Sequence, residues 1–156
     1  TVGAPVRVTP GNLPVNLMNL RNVLVHNSRW KNGEMFLIVP PEFSNVVIQS
    51  EYRLAADISC CKDPSMLLTG ELPGQLAGFR AIESMRTISA LDQAVNKQAY
   101  YILAFWKEAF AFYGDITEGR IIEDKDYWGR QYQMAALWGG KAIYGDAIAV
   151  GYWTFE

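Results

Sequence analysis

The run at residues 36–43, FLIVPPEF, constrains this chain more than any other stretch. Four consecutive apolar residues, following the turn signal Asn32-Gly33, predict a short strand buried on both faces. Pro40 has no N–H for a ladder and ends it, while Pro41 has the φ that suits the first position of a new helix. Glu42 then falls in the first turn, where the helix dipole favours a carboxylate. Phe43, Val46 and Val47 continue at helical spacing, so a short helix is expected around residues 42–50. A strand stopped against a docked helix is scaffold and carries no bond chemistry.

The same scaffold logic extends in both directions. Residues 1–11 read as an extended lead-in, with Val6 and Val8 alternating around Arg7, and residues 12–156 as one domain. Leu13, Leu17, Leu20 and Leu24 share one helical face, which predicts a helix over 14–27 with Asn12 or Leu13 as its cap. Residues 53–78 show little periodicity and end among Gly70, Pro73, Gly74 and Gly78; a connection of that length in a compact domain is usually functional or mobile. Residues 79–84 read as a strand and 90–98 as a turn or a helical stretch. The run 99–106, AYYILAFW, favours a buried strand, with a brief helical turn at Lys107-Glu108. A polar stretch at 114–126 holds a strand at 120–123, and another strand is expected at 127–138. The Gly139-Gly140 turn and a last strand pair, 142–144 and 147–152, follow around Gly145-Asp146. The fold class is α+β, with mostly antiparallel strands gathered towards the C-terminal end and a few helices.

Composition excludes some functions. A net charge of −2 argues against a strongly basic nucleic-acid binder. No apolar run approaches the ~20 residues of a membrane-spanning helix, and no signal peptide is visible. The five Trp, eight Tyr and seven Phe exceed what a core of this size needs and leave aromatics for an interface. Cys60 and Cys61 are adjacent, so a bond between them closes no useful loop, and two free thiols fit a reducing compartment.

Catalytic templates find little to hold. His26, the single histidine, stands at the end of the first helix, where an imidazole commonly caps carbonyls. With Cys60 and Cys61 it lacks the spacing of a zinc site. Gly70, Gly74 and Gly78 are followed by no Lys-Ser or Lys-Thr, so they form no P-loop, and Gly139-Gly140-Lys141 is equally bare. Asp115, Glu118, Glu123, Asp124 and Asp126 do not follow a calcium-loop pattern. They interleave with Arg120, Lys125 and Arg130 as a solvated or interface rim would; a paired-carboxylate hydrolase is the alternative they leave open. No catalytic, cofactor-binding or metal residue is assigned, and no cofactor is expected.

Four segments, in order, resemble the C-terminal half of tailed-phage major capsid proteins of the Hong Kong 97 type. They are the helix at 14–27 leading into the strand and Pro-Pro-Glu-Phe helix; LPGQLAGFRAIES at 72–84; AYYILAFWKEAFAFY at 99–113; and 132–152, where a Trp-Gly-Gly-Lys turn stands in for the family's Tyr-Gly-Xaa-Lys. The resemblance implies a capsid body domain without the family's N-terminal arm and extended loop. It also implies a structural subunit of a virion, made in the host cytoplasm, without catalysis. Its partners would be copies of itself in hexamers and pentamers, with other virion proteins possible and with no specific nucleic-acid site or membrane. By the same resemblance, 53–78 lies near a symmetry axis. An encapsulin-like shell enclosing protein cargo is a second reading of the same architecture.

Overall fold

The computed structural model describes residues 3–52, 72, 75–94, 96–123 and 129–156. Among them the strands are β1 (Val6–Val8), β2 (Met35–Val39), β3 (Arg80–Glu83), β4 (Ser89–Asp92), β5 (Lys97–Trp106), β6 (Phe110–Glu123), β7 (Arg130–Ala142) and β8 (Ile148–Phe155). The helices are α1 (Leu13–His26) and α2 (Glu42–Gln49), and the class is mixed α+β, mostly strand. The chain divides into two compact units: Thr1–Lys107 with Gly145–Glu156, and Glu108–Tyr144.

The first unit is built on a six-stranded sheet of order β1-β8-β5-β2-β3, with β4 also paired to β5. The central strand β5 runs antiparallel to β8 along one edge and, along the other, to β4 and then β2. Only the outer pairs β1–β8 and β2–β3 are parallel. One sheet face is closed: Met35, Leu37, Val39, Ile102, Ala104, Trp106, Ala149 and Trp153 are buried. The four leucines Leu13, Leu17, Leu20 and Leu24 are all buried too, as their spacing predicts. Asn12 is the N-cap, but its side chain turns backwards, accepting from Thr9 N at 2.8 Å and donating to Arg7 O at 2.9 Å. α2 buries Phe43, Val46 and Val47, and Phe43 meets Phe155 edge-on at 6.0 Å.

The strand β2 departs from the two-faced burial expected of it. Phe36 and Ile38 are only half-buried, and Phe36 stacks on Phe105 of β5 at 5.9 Å. Pro41 is the N-cap of α2, one place ahead of the helical position expected for it.

Residues 90–98 are not a helical stretch. They hold most of β4, a turn and the start of β5, because Ala90 and Leu91 pair with Ala99 and Gln98 across a hairpin. The strand at 79–84 is β3, preceded by a tight turn in which Leu76 and Phe79 exchange both backbone hydrogen bonds. The turn residues Ala77 and Gly78 have φ of 51° and 89°. Most of the 53–78 connection, including Cys60 and Cys61, lies outside the described residues, as do Asp124, Lys125, Asp126, Tyr127 and Trp128.

The second unit is a two-stranded antiparallel ribbon of β6 and β7. It is preceded by a 3-10 turn at Lys107–Ala109, where a brief helical turn is expected from the sequence. Two expectations fail here. The strand expected at 120–123 is only the end of a longer one, since β6 begins at Phe110 and runs for 14 residues. Gly139 and Gly140 form no turn; they lie within β7, opposite Tyr113 and Phe112. The last strand pair is likewise replaced, because β7 ends at Ala142 and pairs with β6, while β8 pairs with β5 and β1.

Candidate functional site

The β6–β7 ribbon exposes a run of large apolar residues, and its register explains how they come together. From Phe110↔Ala142 to Ile116↔Ala136 the ladder is regular; it then resumes at Glu118↔Ala135, leaving Thr117 as an extra residue on β6. Side chains alternate faces along a strand, so such a bulge reverses the phase of everything after it. Phe110, Phe112 and Ile116 therefore share a face with Ile121, and from β7 with Tyr132, Met134 and Trp138. The opposite face carries Asp115, Glu118, Arg120 and Lys141 together with Gln131 and Gln133. Arg120 donates to Gln133 Oε1 at 3.0–3.1 Å on that polar face.

On the apolar face, Phe112 and Trp138 are each 75% exposed, and Tyr132 is 68% exposed. Glycines sit between them under the rings. A Cβ on Gly114 would stand 3.2 Å from the Phe112 ring, and one on Gly119 would stand 2.8 Å from the Tyr132 hydroxyl. The rings thus lie down over backbone that has no side chain of its own.

The residues weighed for chemistry are not brought together. His26 is exposed at the end of α1. Asp115 and Glu118 share the polar ribbon face, where Asp115 accepts from the Tyr113 hydroxyl at 3.2 Å. Glu123 lies on the other face, 3.9 Å from Arg130. Among the described residues no group of three His, Cys, Asp or Glu is placed to hold a metal ion. No described helix is long and apolar enough to cross a membrane.

One hollow in the first unit, of about 390 Å³, lies between α2 and the ends of β5 and β8. Its ionisable lining is Glu42, Lys97, Tyr100 and Glu156. The Tyr100 hydroxyl donates to Glu42 Oε1 at 2.7 Å. That bond to a carboxylate, with partial burial and the Glu42 charge adding to it, pushes the phenol up from 10.0 to about 12. At neutral pH it keeps its proton and acts as a hydrogen-bond donor, not as a base.

The apolar ribbon face went unseen in the sequence, although its signal is there. Tyr132, Met134 and Trp138 recur at even spacing, as do Phe110, Phe112 and Ile116. The phase change at Thr117 and the charges of the other face hid the continuity.

No protein-family model matches this chain, and no curated protein matches its sequence. Its fold is similar to that of a solved chain from Mycobacterium phage Che8, with a TM-score of 0.67 at 20% identity over 97% of this chain. The match covers 51% of the phage chain, so this chain spans about half the length of that neighbour.

Proposed function

We propose that this chain is a structural subunit of a tailed-phage capsid, of the Hong Kong 97 type, acting through contacts with copies of itself and performing no catalysis. The observation that carries the reading is the fold shared with a phage chain across nearly the whole of these 156 residues. The four sequence segments that resemble the capsid family point the same way.

The physical character of the molecule suits a wall. A shell subunit offers flat, repeated contacts, and interface energy concentrates in aromatic anchors with charges at the rim. The ribbon carries such aromatics on one face, with the Glu123–Arg130 pair at its end, and Asp115, Glu118, Arg120 and Lys141 on the other. A net charge of −2 suits a surface that surrounds DNA without gripping it at each subunit. In this reading the subunits meet in pentamers and hexamers, other virion proteins complete the particle, and the protein resides in the virion.

Electron microscopy of the purified protein tests the reading. Rings with five- and sixfold symmetry, or closed shells built from them, are the expected result. Dispersed monomers with a turnover of ester or phosphate substrates that is lost in Asp115→Asn would replace the shell by the hydrolase alternative. Shells recovered with packed protein and no DNA would favour the encapsulin-like role.

A further inference from the structure

We propose that Asn32 is a site of spontaneous deamidation in the folded chain, primed by the Trp30 indole and by the bare Gly33 that follows it. The inference concerns the chemistry of one turn and stands apart from the shell reading.

The chain has eight asparagines, and Asn32 is the one followed by glycine. The reaction needs the backbone nitrogen of the next residue to reach the side-chain carbonyl carbon, and two things hinder it elsewhere. A side chain on the next residue crowds the approach, and a nitrogen already donating a hydrogen bond is held away. Asn16, Asn19, Asn22 and Asn45 lie inside α1 and α2, so the nitrogen after each is engaged in the helical ladder. Leu13 N, after Asn12, donates to Thr9 O at 3.1 Å, and Ser28 N, after Asn27, donates to Val25 O at 2.9 Å. Asn96 is followed by Lys97, with its long side chain.

At Asn32 both obstacles are gone. Residues 31–34 form a turn closed by Glu34 N donating to Lys31 O at 3.4 Å, with Gly33 at φ 83° in its third position. Asn32 and Gly33 are exposed, and among the described residues the Gly33 N–H has no acceptor. Nothing lies within 4 Å of the place where a Gly33 Cβ would stand. Asn32 Oδ1 accepts from the Trp30 indole N–H at 2.8 Å. That bond draws charge towards the oxygen, makes the carbonyl carbon a better electrophile and steadies the oxyanion of the tetrahedral intermediate. Trp30 is itself held edge-on by Phe79 at 5.1 Å, with the Arg21 guanidinium 4.7 Å over its ring, so the donor is already in place.

The step balances with solvent water alone. Gly33 N bonds to the Asn32 side-chain carbonyl carbon as its proton passes to water; the bond from that carbon to Nδ2 breaks, and ammonia leaves with a proton from water. Water then opens the cyclic imide at one carbonyl or the other, leaving an aspartyl or an isoaspartyl residue at position 32. The isoaspartyl form adds a backbone methylene to the turn that leads into β2. There Glu34 O accepts from Lys107 N at 3.0 Å and Glu34 Oε2 from the Trp106 indole at 2.8 Å, so a lower melting temperature is expected of the converted chain.

The test is peptide mapping by mass spectrometry of the folded chain after incubation at mildly acidic and mildly alkaline pH, with electron-transfer fragmentation to separate the two products. Position 32 is expected to convert at least ~10-fold faster than any other asparagine. Its rate should rise with pH, because the attacking nitrogen must lose its proton. Gly33→Ala is expected to slow it at least ~10-fold, since a Cβ then crowds the approach. Trp30→Phe keeps a ring and removes the donor, and is expected to slow it ~3-fold or more. Circular dichroism establishes that each variant keeps its fold. No conversion at position 32, or conversion led by another asparagine, would overturn the site. An unchanged rate in folded Trp30→Phe would overturn the part given to the indole. Neither result bears on the particles sought by microscopy, which decide the shell reading separately.

Discussion

Ile116 and Ile121 stand an odd number of residues apart and yet occupy the same face of one strand. The relation requires the extra residue at Thr117, which restores the apolar phase after the interruption. Deleting Thr117 would place Ile116↔Ala136 directly beside Glu118↔Ala135 and leave a regular ladder with both faces unchanged. The deletion variant is therefore expected to keep its ribbon and to change stability by no more than about 1 kcal/mol. Amide hydrogen exchange over 110–142 checks this; loss of protection there would contradict the register described.

Gly78 and Gly33 have nearly the same backbone, with φ of 89° and 83°, but different surroundings. A Cβ on Gly78 would meet the Trp30 indole at 2.8 Å, while nothing lies within 4 Å of one on Gly33. Trp30 is itself held edge-on by Phe79 at 5.1 Å, with the Arg21 guanidinium 4.7 Å over its ring. Gly33→Ala is expected to cost about 1 kcal/mol, the left-handed backbone penalty alone. Gly78→Ala should cost about 2–4 kcal/mol, because steric displacement of the indole is added. Urea denaturation of the two variants measures the difference.

Tyr100 should titrate well above an ordinary phenol. Its phenol is raised from 10.0 to about 12, first by the hydrogen bond to Glu42 and then by burial. A group raised in the folded state contributes stability that is whole below its unfolded pKa and is lost as pH climbs through the folded one. The contribution of this pair is thus present below about pH 10 and disappears between about 10 and 12. The difference in phenolate absorbance between wild type and Tyr100→Phe should show a midpoint near 12, moving towards 10 in Glu42→Gln. A midpoint near 10 in both would contradict the bond.

The helix α1 offers a direct contrast between neighbours. Leu17 is fully buried, whereas Met18 beside it is 41% exposed. Leu17→Ala is expected to cost about 2–5 kcal/mol, and Met18→Ala less than about 1. Similar losses from both would mean that the apolar stripe has been misplaced around the helix. Thermal unfolding at fixed pH separates them.

Legibility in the sequence followed the strength of the local pattern. Leu13, Leu17, Leu20 and Leu24 fix one helical face and Pro40-Pro41 fix a break, so α1, β2 and α2 were predicted within one or two residues. The run at 99–106 became β5 because aromatic and β-branched residues suit a pleated surface. What failed depended on partners far along the chain. Gly139 and Gly140 look like a turn in isolation, but within the ribbon they lie opposite Tyr113 and Phe112, and the Phe112 ring reaches over Gly140. β8 follows β7 closely in sequence and pairs with β5 and β1, a choice made by the sheet and not by the short link. The apolar ribbon face needs the cross-strand register before its members can be seen together.

The proposal that this chain is a shell subunit is tested most directly by the composition of particles from cells that carry its gene. Particles would be banded by density and their proteins counted by quantitative mass spectrometry. The account expects peptides of this chain at hundreds of copies per particle, in bands that also contain DNA. Their absence from every particle band, with the protein recovered only in the soluble fraction, would contradict it.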